Sequence, residues 1–202
     1  MTLPFRLLAV ADRAPFASDE AWLARLMEIA AVPGLWLQLR TKTLPPEHRA
    51  RLLASAARRL GAARARTLVN GSIIEARELG LAGAHYPETA LPDRLGAHAG
   101  LLAGASVHSP QARQAAERAG ADYVIAGPVF APSSKPGEGR GLAWLAEIAR
   151  GSAVPLVAIG GISPARVGDC LAAGAAAVAV IGGIVLADDP RAAAAAYLAA
   201  LA

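Results

Sequence analysis

Cysteine, aromatic residues and lysine are all scarce in this chain of 202 residues. Its one cysteine, Cys170, excludes a disulfide framework and a cysteine metal cluster, and is expected to be a buried spectator thiol. Aromatic residues make up 4%, and the basic residues are scattered along predicted helices, although the net charge is +4. Nucleic-acid sites usually combine clustered positive charge with stacking rings, so we expect no nucleic-acid partner.

A membrane span and a secretion signal are also not indicated. The longest stretch without charge, 170–187, approaches the length of a span, but Gly174, Gly182 and Gly183 interrupt it. It divides into a helix end and a buried strand. The apolar N-terminal run ends at Asp12 and is too short for a signal peptide. We therefore expect a soluble, cytoplasmic protein.

Hydrophobic residues make up 54% of the chain, and short apolar runs alternate with amphipathic segments. The runs predict strands at 7–11, 35–40, 67–70, 83–86, 101–107, 123–129, 155–161 and 176–182. Helices are predicted near 19–31, 46–61, 72–79, 92–98, 109–119, 141–150, 163–173 and 188–201. Eight such units favour one α/β domain over 1–202, a parallel eight-stranded (β/α)8 TIM barrel. The alternative is a doubly wound open sheet, which usually has fewer strands.

A barrel of this kind gathers its functional groups at the carboxyl ends of its strands. Gln38, Arg40 and Lys42 alternate out of the second strand, so they can point to one side and suit an anionic ligand. Asn70 follows the third strand, and Ser106 and His108 follow the fifth. His108 is the candidate for proton transfer because imidazole titrates near neutral pH, and His85, after the fourth strand, is a weaker candidate.

Two glycine pairs predict a phosphate site. Gly160 and Gly161 end the seventh strand, and Gly182 and Gly183 end the eighth. Barrels often bind phosphate at these two loops, where bare main chain lets N–H groups approach the oxygens. Lys135 lies in the glycine-rich loop after the sixth strand and could neutralise the same phosphate. Since lysine occurs only twice among 20 basic residues, each lysine is more informative than an arginine.

An ordered set of motifs resembles the thiamine phosphate synthase/TenI superfamily across almost the whole chain. The matching segments are QLRTK (38–42), LVN (68–70), GAHY (83–86), GASVHS (104–109), GADYVIAGPVF (120–130), GEGRG (137–141), VPLVAIGGI (154–162) and AGAAAVAVIGGI (173–184). The resemblance implies a barrel that binds phosphorylated precursors of thiamine.

The resemblance covers two activities. The synthases join a hydroxymethylpyrimidine pyrophosphate to a thiazole phosphate with Mg2+ held by carboxylates, one directly after the third-strand Asn and one shortly after the fourth-strand His. Here those positions hold Gly71 and Ala90, and Pro132 replaces a Thr in the loop before the lysine. Glu88 could substitute only in part. A leaving pyrophosphate develops charge that a metal should neutralise, so these changes weigh against the synthase.

SVHS and GEGRG are instead similar to the TenI-type thiazole tautomerases, whose substrate is a carboxylated thiazole phosphate. This resemblance implies an isomerase without metal or cofactor, in which His108 transfers protons. Lys135 and the glycine pairs would hold the phosphate, and Gln38, Arg40, Lys42, Asn70 and Ser106 would frame the ring. The alternatives are a thiamine phosphate synthase and a non-catalytic protein that binds a thiamine intermediate. A homo-oligomer is compatible with the sequence.

Overall fold

Eight parallel strands close into a barrel in which every strand pairs with its neighbours in the chain, and the last pairs with the first. The computed structural model describes residues 2–96, 98–131 and 138–202. The strands are β1 (Leu7–Asp12), β2 (Leu35–Arg40), β3 (Thr67–Asn70), β4 (Gly83–Tyr86), β5 (Leu102–Val107), β6 (Tyr123–Ala126), β7 (Leu156–Ile159) and β8 (Ala177–Val180). The predicted fold is confirmed.

The helices follow the strands in the order expected of a (β/α)8 barrel. They are α1 (Asp19–Ala30), α2 (Pro46–Leu60), α3 (Ile73–Leu79), α4 (Pro110–Ala119), α5 (Gly141–Ala149), α6 (Val167–Ala172), α7 (Gly182–Val185) and α8 (Pro190–Ala200). Ser18 and Ser109 cap α1 and α4 by accepting a bond from the main-chain N–H three residues on, as their sequence positions predict. Within the described residues, no helix is long and apolar enough to cross a membrane.

The helix predicted near 92–98 is wrong. Residues 91–96 and 98 are irregular, Ala97 lies outside the described residues, and a 3-10 turn at Glu88–Ala90 comes earlier in this connection. Gly96 adopts φ +66°, and the Leu95 N–H donates to Ala119 O at 2.8 Å, at the end of α4. The backbone of this segment is therefore bonded to a neighbouring helix rather than to itself.

Alternate residues of the strands build two cores. On β1, Leu7, Ala9 and Ala11 pack outward against the helices, whereas Leu8 and Val10 belong to the cluster that fills the barrel. Tyr123 is fully buried in that inner cluster and packs edge-on to Phe5, with 5.7 Å between ring centres. These large side chains fill the interior below the carboxyl ends of the strands, so that the open space lies at the mouth.

Strand register brings polar residues together at that mouth. Asp12, the last residue of β1, pairs with Arg40, the last residue of β2. Asn70, at the end of β3, pairs with His85 of β4. Parallel strands therefore place side chains that are far apart in sequence within reach of one cavity.

Candidate active site

A cavity of about 640 Å3 opens at the carboxyl ends of the strands. It is lined by most of the predicted site residues, namely Gln38, Arg40, Asn70, Ser106, His108, Gly160, Gly161, Gly182 and Gly183. Lys42 lies instead in an adjoining shallow depression, which Asn70 also lines. Lys135 lies outside the described residues. The cavity is large enough for a drug-sized ligand or for two smaller ones.

The first glycine pair makes a turn that other residues would not adopt. Gly160 has φ +102° and Gly161 has φ +59°, both in the left-handed region. A Cβ at Gly160 would lie 2.6 Å from the Pro128 Cα, and one at Gly161 would lie 2.8 Å from the Phe130 carbonyl oxygen. Glycine is therefore required both by the backbone conformation and by the adjacent loop, and it leaves main chain facing the cavity.

The second glycine pair starts the short helix α7, whose first N–H groups have no acceptor within the helix. A Cβ at Gly183 would overlap the hydroxyl of Tyr197. That hydroxyl donates to the Ile162 carbonyl at 2.8 Å, so Tyr197 ties the turn after β7 to the turn after β8. The two turns form one surface of bare main chain, which suits a phosphate group.

The opposite wall is polar and largely buried. Gln38 is 3% exposed, and its Oε1 has no hydrogen-bond partner among the described residues. His85 is 2% exposed, and its Nε2 lies 2.8 Å from the Ser106 hydroxyl. Burial lowers the pKa of His85 to about 3, so the ring is neutral at physiological pH. His85 therefore orients Ser106 and is not a proton donor of the imidazolium kind.

The tautomer of His85 follows from its surroundings. Its buried Nδ1 has no partner among the described residues. A buried N–H without an acceptor is rarer than an acceptor atom without a donor, so the proton is assigned to Nε2, which donates to the Ser106 oxygen. The Ser106 hydroxyl proton is then free to donate into the cavity.

An ion pair at the ends of β1 and β2 was not predicted from the sequence. Arg40 Nη1 donates to Asp12 Oδ2, and both residues line the cavity. Asp12 is 8% exposed, and its carboxylate offsets part of the Arg40 charge and fixes the guanidinium. Its position as the last residue of a buried strand was the signal that could have revealed it.

His108 lies at the rim, where its side chain is 51% exposed. Its Nδ1 is 2.7 Å from Glu88 Oε2, in the 3-10 turn after β4. Arg140 donates to the His108 carbonyl at 2.7 Å and lies over the ring of Trp144. Three loops therefore meet at His108, and Glu88 is engaged with the imidazole.

The residues around Gly71 and Ala90 do not fit the carboxylate-held Mg2+ that the resemblance implies. Both line the depression beside Lys42. A Cβ at Gly71 would collide with the carboxylate of Glu75, which is bound to Arg49. Among residues 2–96, 98–131 and 138–202, no group of three or more His, Cys, Asp and Glu side chains could hold a metal ion.

Fold and site together define a (β/α)8 barrel with a cavity at the carboxyl ends of its strands. The sequence model of the family described as thiamine monophosphate synthase matches residues 7–184. The chain therefore belongs to this family of thiamine biosynthesis.

Individual relatives agree with the family match. A thiamine-phosphate synthase of Methanoculleus marisnigri is 43% identical over 84% of this chain and 83% of its own. A putative thiamine-phosphate synthase of Geobacter sulfurreducens is 34% identical over 98% and 94%. The solved structure of a thiamine phosphate pyrophosphorylase from Pyrococcus furiosus superposes with a TM-score of 0.78 and 25% identity, covering 98% of this chain and 95% of that one.

These relatives overturn the predicted activity. The sequence favoured a thiazole tautomerase, an isomerase. Three relatives that align over most of the chain are instead named thiamine-phosphate synthases, one of them as putative, and such synthases are transferases. The family match itself does not separate the two branches. The prediction gave too much weight to a few motif positions, above all Gly71 and Ala90, and too little to the similarity of the whole chain.

Proposed function

We propose that the protein is a thiamine-phosphate synthase. It joins hydroxymethylpyrimidine pyrophosphate to thiazole phosphate and releases pyrophosphate. The observation that carries this proposal is the cavity of about 640 Å3, with bare main chain on one side and Gln38, Arg40 and Asn70 on the other. One side suits a monophosphate, and the other suits a polar ring bearing a second anionic group.

The glycine turns hold the thiazole phosphate in this proposal. Main-chain N–H groups near Gly160–Gly161 and Gly182–Gly183 donate to its oxygens. Arg166 supports this side of the site, because its Nη1 donates to the Gly161 carbonyl at 3.0 Å and its guanidinium lies over Phe130. Lys135 is proposed as a further cation for phosphate, as its sequence position suggests.

The pyrimidine half lies against Gln38. The Gln38 Oε1, buried and without a partner among the described residues, can accept from an amino group on the ring. Ser106, oriented by neutral His85, can donate to the ring or to the departing oxygen. Arg40, Lys42 and Asn70 face the pyrophosphate. Its negative charge grows as its bond to the methylene carbon of the pyrimidine half breaks and the thiazole nitrogen bonds to that carbon.

His108 has no acid/base task in this coupling, because no proton leaves a ring carbon. We assign it a positioning role at the rim, where its contacts with Glu88 and Arg140 link the loops after β4, β5 and β6. His108→Asn should therefore retain coupling activity within about tenfold of the wild type, a range that corresponds to about 1.4 kcal/mol in the activation barrier.

The direct test supplies both precursors to purified protein and measures thiamine phosphate by chromatography. The wild type should form product and pyrophosphate in equal amounts. Arg40→Met should lower kcat/KM by at least about tenfold, since it removes a charge-assisted contact to the pyrophosphate. The matched control is Arg59→Gln, on α2, whose Arg pairs with exposed Glu20 far from the cavity and should not affect the rate. Tight binding of both precursors without any product would contradict the proposal and support a binding protein.

A further inference from the structure

The shallow depression beside the main cavity is lined by an arginine, Arg49, that was not predicted as a site residue. It is lined by Lys42, Arg49, Asn70, Gly71, Ser72, Ile74, Glu75, Glu78, Pro87 and Ala90. Gly71 and Ala90 are the positions where the resemblance implies carboxylates for Mg2+. The side chains next to these two positions therefore determine whether a metal ion or a cationic side chain can bind an anionic ligand there.

Glu75 and Arg49 occupy that space. A Cβ built at Gly71 would meet Glu75 Oε2 first, and Arg49 Nη2 would be 2.9 Å away. Glu75 lies in the first turn of α3, the helix that follows β3, and its side chain reaches the space beside Gly71. A carboxylate is therefore present there although position 71 itself has none. It does not face the depression alone, because Arg49 from α2 is bound to it.

Arg49 holds Glu75 with both arms of its guanidinium. Nη2 lies 2.7 Å from Glu75 Oε2, Nη1 binds Oε1, and Nη2 also donates to the Asn70 carbonyl at 3.0 Å. The side chains are 25% and 20% exposed, so the pair is partly shielded from water. Both carboxylate oxygens accept from Arg49, so neither is free to ligate a divalent cation in this arrangement.

The arrangement resembles a metal site in its charge pattern but not in its chemistry. In a metal site a carboxylate positions a divalent cation that faces an oxyanion. Here Glu75 positions a guanidinium, and of its five N–H groups the contacts described engage three. The remaining Nε and Nη1 donors can bind oxyanion oxygens, with Lys42 on the same surface.

We propose that Arg49, positioned by Glu75, binds the pyrophosphate group directly and takes the place of a carboxylate-held Mg2+. Pyrophosphate is chosen as the ligand on the basis of the proposed coupling function. The assignment of Arg49 as an oxyanion-binding residue depends only on the Arg49–Glu75 geometry and the residues beside it. Pyrophosphate affinity should then be nearly independent of Mg2+.

Calorimetric titration of inorganic pyrophosphate into the full-length protein tests this inference. The dissociation constant of the wild type should agree within about threefold between excess EDTA and excess Mg2+, because no bound metal takes part. Arg49→Gln should weaken binding by at least about tenfold in EDTA, through loss of a charge-assisted contact. Arg49→Lys should restore only part of the affinity, because an ammonium lacks the planar fork.

Two further variants separate this mechanism from a hidden metal site. Glu75→Gln keeps the Arg49 charge, so this variant should still bind pyrophosphate in EDTA. If Glu75 instead ligated Mg2+, the wild type would bind pyrophosphate more tightly with Mg2+ than in EDTA, and Glu75→Gln would lose that increase in affinity. Arg59→Gln removes a paired arginine from the same helix and should leave affinity unchanged. Melting temperatures of all variants identify any change that reflects unfolding.

Several results would overturn the inference. They are pyrophosphate binding by the wild type that requires Mg2+, equal affinity of wild type and Arg49→Gln, or no pyrophosphate binding in either condition. Failure of the proposed function is seen separately, as the absence of thiamine phosphate from a protein that still binds pyrophosphate through Arg49.

Discussion

Replacing Gly183 with alanine should destabilise the protein through a collision with one atom, the Tyr197 hydroxyl. The new Cβ would overlap this oxygen and approach Val180 Cγ1 to 3.1 Å. Overpacking of this kind typically costs about 1–3 kcal/mol. For a chain of this length, a loss of about 2 kcal/mol corresponds to a fall of about 4–8 °C in the melting temperature.

Tyr197→Phe provides the matching half of a double-mutant cycle. Alone, it leaves the Ile162 carbonyl without its donor, which costs about 1–3 kcal/mol for a buried group. Combined with Gly183→Ala, it also removes the atom that the new Cβ strikes. The double variant should therefore be more stable than the sum of the single changes predicts, by about 1–2 kcal/mol.

Denaturant unfolding, followed by circular dichroism, measures all four proteins. Gly168→Ala serves as the control, because no atom lies within 4 Å of its Cβ in α6 and alanine is the better helix former. It should leave stability unchanged or raise it by up to about 1 kcal/mol. Strict additivity of Gly183→Ala and Tyr197→Phe would refute the proposed collision.

Three further outcomes follow from the structure. The folded-state pKa of His85 is about 3, below its unfolded value, so stability should fall as the pH drops below about 6.5, by about 3 kcal/mol at pH 4. In urea unfolding, the His85→Gln variant should lack this loss of stability at low pH. Identical profiles of unfolding free energy against pH for the wild type and the variant would contradict the prediction. Arg40→Met leaves the Asp12 carboxylate without its arginine partner and should lower the free energy of unfolding by about 1–3 kcal/mol. Adding Asp12→Asn to this variant should recover most of the loss in urea unfolding, and an unchanged stability of Arg40→Met would contradict this. Cys170 is fully buried, and burial raises the pKa of its thiol to about 11, so a thiol reagent at pH 8 should label it only after denaturation, whereas fast labelling of the native protein would show an open site.

The strands were the most predictable part of the fold, because a strand covered on both faces leaves a nearly continuous apolar run. β3 and β4 were predicted to the residue, and β2 likewise. β7 is shorter than predicted, since the chain turns at Gly160 and leaves the barrel after Ile159. The helix expected near 92–98 was wrong because apolar spacing suggests a helix even where tertiary hydrogen bonds, here from Leu95 to Ala119, hold the backbone in another form.

The site was predictable where a residue's place along a strand determined its direction. Gln38, Arg40, Ser106 and both glycine pairs reach one cavity for this reason. Contacts made from helices were not predictable in the same way. Arg49 and Glu75 lie on α2 and α3, and nothing in their spacing shows that the two side chains meet beside Gly71.

The activity was the least predictable feature. Missing carboxylates at Gly71 and Ala90 favoured a metal-free isomerase, although Glu75 supplies a carboxylate in the same place from another element and binds Arg49 with it. A residue type absent from one position does not establish that its charge is absent from the site. The similarity of the whole chain to thiamine-phosphate synthases is the stronger guide.

A crystal structure with thiamine phosphate, the expected product, tests the proposed site most directly. The phosphate should lie within hydrogen-bond distance of main-chain N–H groups in the turns at Gly160–Gly161 and Gly182–Gly183, with the pyrimidine against Gln38. A phosphate bound away from both glycine turns, or a pyrimidine remote from Gln38, would contradict the proposed arrangement.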